Sequence, residues 1–283
     1  MKLPSILRSI LPLTLLLAGC APASAPTAAS PAAPTSTTAA ARPVDLNVFA
    51  AASLTEAFGE LGPLFEAAHP GVTVVFNFAG SQQLAQQINE GAPADVFASA
   101  SQKPLQAVIS AGGILTGTQQ IFARNRLVVI FPKDNPSKLA QLRDLAGPGL
   151  KLVLAAKEVP VGQYALDFLD KAAADPALGA TFKDGVLGNV VSYEDNVKAV
   201  VAKVALGEAD AGIVYTTDIL GANAAQLAWI EIPDALNVIA AYPIAALAAS
   251  RSPDLAQAFI DLVLSPQGQA VLASDNFMPA AGK

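Results

Sequence analysis

The chain has 283 residues, 53% of them hydrophobic and 14% charged, so it has enough apolar material for one large domain or two smaller ones. Its net charge of −6 argues against nucleic acid and anionic membrane surfaces as partners. A single Cys and a single His exclude an intrachain disulfide and a zinc centre built from these two residue types.

The N-terminus has the pattern of an export signal. Lys2 and Arg8 precede a short apolar stretch at residues 10–18, which is too short for a permanent membrane-spanning helix. Leu-Ala-Gly-Cys at residues 17–20 resembles the lipobox of bacterial lipoproteins, in which cleavage leaves a lipid-modified cysteine, here Cys20. We predict a lipoprotein signal peptide at 1–19, with an ordinary signal peptide and an incidental Cys20 as the alternative. Its removal lowers the 17 basic residues to 15 against 23 acidic ones, a mature net charge of about −8.

The next segment, residues 20–43, consists almost entirely of Ala, Pro, Ser and Thr, which predicts a flexible tether. From Val44 onwards, strand-like and helix-like segments alternate. We predict strands at 44–50, 72–78 and 95–98, with helices at 54–68 and 82–90. This β-α-β-α-β order is typical of an open α/β sheet with helices on both faces.

A second alternating series follows. Strands are predicted at 126–131, 151–155, 190–191 and 211–215, and helices at 139–145, 162–174 and 197–206. A strand at 242–247 and helices at 253–264 and 266–273 can return to the first part. We therefore predict two lobes, each an open, mostly parallel sheet flanked by helices: residues 44–124 plus 240–283 form lobe 1, and residues 125–239 form lobe 2.

Residues for catalysis are scarce. His69 precedes Pro70 and Gly71 at a helix end, where its ring can simply interact with the last carbonyl groups. No Ser or Cys has a matching His and orienting acid, and glycine-rich phosphate loops are absent from the sequence. The adjacent Glu194 and Asp195 suit an acidic helix start better than a glycosidase pair. The sequence thus predicts a binding protein rather than an enzyme.

Four predicted helix starts stand out. Ser53 and Glu56 fit a Ser-x-x-Glu capping box, Ser81 opens a second helix, Pro160 a third and Asn196 a fourth. Each start offers unpaired N–H groups and about half a positive charge, so four convergent starts would provide roughly two units for a dianion. The alanines at 50–52 leave space for a guest. A serine at such a position can equally be a plain N-cap. That the four helix starts converge on one point is a hypothesis.

Several motifs together resemble a known family. They are VFAAASL at 48–54, FAGS at 78–81, GAPADVF at 91–97, VPVGQYA at 159–165 and GIVY at 212–215. In order and spacing they resemble the periplasmic molybdate-binding proteins of ABC transporters, from about residue 46 to residue 277. The resemblance implies a two-lobed periplasmic-binding-protein fold of type II, with molybdate or tungstate held between the lobes by uncharged donors.

The resemblance also assigns ligand contacts. The implied donors are the hydroxyl and N–H groups of Ser53 and Ser81, the backbone N–H groups of Val161 and Val197, and the phenolic hydroxyl of Tyr215. All of them face oxygens of the oxyanion rather than the metal atom, and no cofactor is expected. Val161 replaces a smaller residue, and Asn196 stands where an acidic residue often precedes the valine. Because the backbone supplies both donors, these changes should matter little.

Fixed donors without an acceptor should reject a protonated oxyanion, and cavity size should then reject sulfate. Ligand binding should close the lobes about hinges near 123–125 and 240–242, and a membrane permease should recognise the closed form. Asp95 is expected to be structural, since a carboxylate would repel a dianion. We expect an extracytoplasmic monomer anchored to the membrane through Cys20. The alternatives are a binding protein for sulfate, phosphate or another anion, and a serine hydrolase that uses Ser53.

Overall fold

The computed structural model describes residues 43–220, 223 and 225–280, so the predicted signal peptide, Cys20 and all but the end of the tether lie outside the described residues. The strands are β1 (Val44–Ala51), β2 (Val72–Ala79), β3 (Val96–Ala98), β4 (Gln120–Asn125), β5 (Leu127–Pro132), β6 (Leu152–Ala155), β7 (Val190–Glu194), β8 (Ala211–Tyr215), β9 (Leu227–Glu231), β10 (Ala240–Ala246) and β11 (Met278–Pro279). The helices are α1 (Thr55–Ala68), α2 (Ser81–Asn89), α3 (Gln102–Ser110), α4 (Pro160–Ala174), α5 (Phe182–Gly188), α6 (Val197–Ala205), α7 (Pro253–Leu264) and α8 (Pro266–Ser274).

These strands form two sheets, one for each lobe. The first has six strands in the order β11-β4-β10-β3-β1-β2, and the second has five in the order β7-β6-β8-β5-β9. The chain passes from the first sheet to the second at Arg126 and returns between Glu231 and Ala240. The predicted two-lobed α/β fold is confirmed. The exact lobe boundaries and hinge positions stay predictions.

Both sheets are mixed, so the expectation of mostly parallel sheets is too strong. β1 pairs in parallel with β2 and β3, and β6 pairs in parallel with β7 and β8. The pairs of β10 with β3 and β4, of β11 with β4, and of β5 with β8 and β9 are antiparallel. β4, β5 and β10 flank the two crossings between the sheets. A strand that leaves a sheet and one that returns to it run in opposite directions, which explains the mixture.

The predicted helix at 139–145 is wrong. Residues Leu142–Ala146 form a short 3₁₀ turn instead. Leu142 and Leu145 are both buried there, and their spacing of three residues suits the three-residue turn of a 3₁₀ helix. Several elements were missed by the sequence patterns: α3, α5, β4, β9 and β11.

Each lobe has a packed interior that gives the site a rigid base. In the first lobe, Phe58 packs on Phe122 and Phe259 with ring centroids 5.9 and 5.7 Å apart. In the second, α4 and α6 bury Phe168 and Val200. Large buried side chains contribute roughly 1.5–3 kcal/mol each, so this packing holds each lobe together. Among the helices that the structure describes, none combines the length and apolarity that a bilayer crossing needs.

Candidate functional site

Strand register places the helix starts in pairs. In the first sheet Ala51 lies opposite Ala79, so β1 and β2 end together. In the second sheet Ala155 lies opposite Glu194, so β6 and β7 also end together. Each of these parallel strands leads into a helical segment at its carboxyl end, which is where open α/β sheets commonly bind ligands.

The five residues that the resemblance assigned line one small cavity. Ser53 and Ser81 come from the first lobe, and Val161, Val197 and Tyr215 come from the second. About 10 Å³ of the cavity is available to the centre of a water-sized sphere, close to the minimum that holds a water molecule. In this arrangement the lobes therefore leave room for a very small guest and not for an organic molecule.

The cavity wall is uncharged. None of the described residues that line it is acidic or basic, and its polar side chains belong to Ser53, Ser81, Asn196 and Tyr215. Asn196 is the N-cap of α6, and its side-chain oxygen accepts the N–H of Ala199 at 3.1 Å. An acidic cap at this position would add a negative charge to the wall. Asn196 therefore provides the cap without repelling an anion.

Two helix starts supply backbone donors from the second lobe. Pro160 is the first residue of α4 and has no N–H, so the first N–H of this helix belongs to Val161. Val197 is the first residue of α6. The first N–H groups of a helix have no acceptor within the helix, and the helix dipole makes them better donors to an anion.

Ser81 is held as a donor. It is the first residue of α2, it is buried, and its hydroxyl oxygen accepts the backbone N–H of Ala100 at 3.0 Å. An accepting hydroxyl keeps its own proton free. Ser81 can therefore direct that proton into the cavity.

Ser53 has a different role from the predicted cap. It lies in a 3₁₀ turn, Ala52–Leu54, and α1 begins two residues later at Thr55 without a side-chain cap. The Thr55 hydroxyl donates to the Ala52 carbonyl at 2.7 Å, a bond between the first residue of α1 and the 3₁₀ turn before it. The predicted capping box between Ser53 and Glu56 is therefore wrong. The Ser53 hydroxyl instead makes a 2.9 Å hydrogen bond with the Tyr242 hydroxyl.

Tyr215 ends β8 with its side chain buried, and its ring makes an edge contact with Tyr242 at a centroid distance of 5.8 Å. Burial raises the pKa of Tyr215 well above its ordinary value, so the hydroxyl keeps its proton. Among the described residues, no hydrogen-bond partner contacts the Tyr215 hydroxyl. An unpaired buried hydroxyl costs roughly 1–3 kcal/mol, which a ligand acceptor in the cavity would recover.

Contacts beside the cavity join the lobes. Lys198, the residue after Val197, bonds both carboxylate oxygens of Glu56 at 2.9 and 2.8 Å and lies 3.2 Å from the buried Asp218. Burial lowers the pKa of Lys198, but the two carboxylates outweigh it and the net shift is upward. Gln82 also donates to the backbone carbonyl of Asp195 at 2.9 Å. Sequence patterns gave no signal for these contacts.

Two other candidates lie elsewhere. Asp95 accepts the Asn47 N–H at 2.8 Å and the Ser250 hydroxyl at 2.6 Å, which confirms the structural role predicted for it. The His69 ring bonds the Phe65 carbonyl at 3.0 Å at the end of α1, as predicted. Among the described residues, no group of three or more His, Cys, Asp or Glu side chains could hold a metal ion.

The fold and the cavity together define a class of protein: a two-lobed solute-binding protein with a small cavity at the meeting of four helical starts. The chain belongs to the family of bacterial extracellular solute-binding proteins, whose family model matches residues 46–277. The prediction of a binding protein rather than an enzyme is thus confirmed, and the family is extracytoplasmic.

Three individual proteins are similar to this chain over most of its length. The chain is 40% identical over 250 residues to the molybdate-binding protein ModA of Mycobacterium tuberculosis, covering 88% of each chain. It is 31% identical over 217 residues to the putative ABC transporter substrate-binding lipoprotein YvgL of Bacillus subtilis, covering 76% of this chain and 75% of that one. The structure of the periplasmic molybdate-binding protein of Azotobacter vinelandii is similar in fold, with a TM-score of 0.71 and 21% identity over 82% of this chain and 98% of that one.

Proposed function

We propose that the protein captures molybdate, and also tungstate, between its lobes and delivers it to the permease of an ABC importer. The observation that carries this proposal is the small uncharged cavity lined by Ser53, Ser81, Val161, Val197 and Tyr215. The name of the mycobacterial relative at 40% identity supports the choice of oxyanion.

The donor set suits a buried dianion. Burying a doubly charged oxyanion is costly unless hydrogen bonds replace its hydration. Each hydrogen bond to a charged oxygen contributes roughly 1.5–3 kcal/mol net, so five to seven donors can support micromolar affinity or tighter after the cost of association. Neither a cation nor a resident cofactor is needed for this chemistry.

Selectivity follows from the same donors. Ser81 and the two helix starts offer protons and no acceptor, so an oxyanion that carries its own proton would leave that proton unpaired. Sulfate has no proton but is smaller than molybdate, so lobes closed around a molybdate-sized guest would hold sulfate with longer and weaker hydrogen bonds. Molybdate and tungstate are nearly equal in size and should bind alike.

In this proposal, closure of the two lobes tells the permease that a ligand is bound. The lining residues belong to both lobes, so a ligand can contact all of them when the lobes are shut, and it therefore favours the closed state. A permease can distinguish this state from the open one. We propose that the mature protein is a monomer, tethered at Cys20 to the outer face of the membrane. The lipoprotein name of the Bacillus relative supports the anchor.

Calorimetry on residues 44–283 tests the proposal. We expect molybdate and tungstate to bind at micromolar concentration or below, and sulfate and phosphate to compete weakly. Replacing Ser81 by Ala should raise the Kd roughly 10- to 150-fold, because one hydrogen bond to a charged oxygen is lost. Ser274→Ala is the matched control, since the Ser274 hydroxyl is exposed and donates to the Val271 carbonyl within its own helix.

Three results would contradict the proposal. They are binding weaker than millimolar for both metal oxyanions, displacement of molybdate by an equal concentration of sulfate, and unchanged affinity in Ser81→Ala. A serine-directed phosphonate that labelled Ser53 would instead favour the hydrolase alternative.

A further inference from the structure

Tyr242 lies behind Ser53, outside the cavity wall. Its hydroxyl oxygen is 2.9 Å from the Ser53 hydroxyl oxygen, and its side chain is fully buried. Tyr242 belongs to β10, the strand on which the chain returns to the first lobe, and it is not among the described residues that line the cavity. Tyr242 touches two residues that line the cavity: its ring makes the edge contact with Tyr215, and its hydroxyl bonds the Ser53 hydroxyl.

Asn125 fixes the direction of the hydrogen bonds behind Tyr242. The Asn125 side-chain oxygen accepts the backbone N–H of Arg126 at 2.9 Å and the Thr216 hydroxyl at 3.0 Å. Because a backbone N–H can only donate, the orientation of this amide is determined. The Asn125 nitrogen must then face the other two partners, the hydroxyls of Thr217 at 3.0 Å and Tyr242 at 3.4 Å.

The same direction of donation can continue from Asn125 through Tyr242 to Ser53, which lines the cavity. The Tyr242 oxygen accepts from Asn125 at 3.4 Å, which leaves the Tyr242 proton available to the Ser53 oxygen 2.9 Å away. Burial raises the pKa of Tyr242, which keeps that proton in place. In this arrangement Ser53 accepts a hydrogen bond from Tyr242, and its own proton is free to point into the cavity. Ser81 reaches the same state by accepting the N–H of Ala100.

We propose that Asn125 and Tyr242 form a hydrogen-bond relay that fixes Ser53 as a donor to the bound oxyanion, and this inference rests on the function proposed above. Tyr242 is a positioning residue, since it does not line the cavity and its hydroxyl acts on the ligand through Ser53. Without it, the Ser53 hydroxyl can rotate and accept a hydrogen bond. The relay therefore contributes to the rejection of oxyanions that carry a proton, such as hydrogen phosphate.

A double-mutant cycle tests the relay. The Kd for molybdate is measured by calorimetry on residues 44–283 of the wild type, Tyr242→Phe, Ser53→Ala and the double variant. We expect Tyr242→Phe to weaken binding about tenfold in the wild-type background and less than twofold when Ser53 is already Ala. Tyr193→Phe is the control, because the Tyr193 side chain is more than half exposed on β7.

Competition supplies a second readout that general destabilisation would not change. In Tyr242→Phe the ratio of the Kd for hydrogen phosphate to that for molybdate should fall at least threefold, because Ser53 can then accept a proton. An equal loss in both backgrounds, or no loss in either, overturns the relay while leaving the proposed function intact. Failure of the wild type to bind any of the oxyanions overturns both. If Tyr242→Phe does not fold, Asn125→Ala enters the same cycle with the same expectations.

Discussion

Gly80 lies beside the cavity and packs against the backbone of the second lobe, and its replacement by Ala should impair closure. A Cβ atom added to Gly80 would lie 2.4 Å from the backbone carbonyl oxygen of Asp195, across the lobe interface. It would also meet the end of the Gln82 side chain, which donates to that same carbonyl. The Gly80 backbone has φ −60° and ψ 133°, values that Ala adopts freely, so the open form should be unstrained.

The expected loss of affinity follows from the size of this overlap. Ordinary contacts to a Cβ begin near 3.4 Å, so the lobes must stay about 1 Å further apart in Gly80→Ala. Overpacking of this kind costs roughly 1–3 kcal/mol. Because the cost falls on the closed form, the Kd for molybdate should rise roughly 5- to 150-fold. The free protein should melt at an unchanged temperature.

Calorimetry and small-angle scattering measure the two consequences. Gly59→Ala is the matched control, because a Cβ at Gly59 on α1 meets nothing within 4 Å. The control should bind molybdate like the wild type and shrink in radius of gyration on binding. Gly80→Ala should bind more weakly and shrink less. An affinity within twofold of the wild type for Gly80→Ala would refute the argument that the ligand requires this closed contact.

Two further predictions concern charged groups near the interface. Glu56→Gln removes the carboxylate that Lys198 bonds across the lobes, so the Kd for molybdate should rise about three- to tenfold, whereas Glu60→Gln on the same helix should have no effect on calorimetric affinity. Burial and the nearby Glu60 and Glu56 raise the pKa of Asp275, partly offset by Lys198. Protonated Asp275 therefore contributes stability at pH values below its pKa in the unfolded chain. This stability is lost as the pH rises through its pKa in the folded protein. Asp275→Asn should accordingly raise the melting temperature by about 1–3 °C at pH 7 and leave it unchanged near pH 3, as measured by circular dichroism; a lower melting temperature at pH 7 would contradict this sign.

Local signals in the sequence were strong where they came from capping and turn chemistry. Helix α7 runs over Pro253–Leu264 as predicted, and α6 begins at Val197 because Asn196 caps it. The site residues were assigned by motif resemblance, and the structure lines one cavity with all five. The cavity itself depends on strand register, which the motifs carry only indirectly.

Long-range partners could not be predicted from the sequence. Tyr242 contacts Ser53 across 189 residues of chain, and Lys198 contacts Glu56 across 142. Neither pair has a local pattern, because a tyrosine in an apolar strand and a lysine on a helix have many possible neighbours. The capping box at Ser53 was wrong for the opposite reason: the local pattern was present, but the 3₁₀ turn and the Tyr242 hydroxyl determined the conformation instead.

A crystal structure with molybdate tests the central claim most directly, because the anomalous signal of molybdenum locates the ion. We predict one strong peak in the cavity between the lobes, with oxyanion oxygens about 2.7–3.1 Å from donors on the five predicted residues. These donors are the hydroxyl groups of Ser53, Ser81 and Tyr215 and the backbone N–H groups of Val161 and Val197. A peak beside lysine or arginine side chains, or no peak in the cavity at saturating molybdate, would contradict the account.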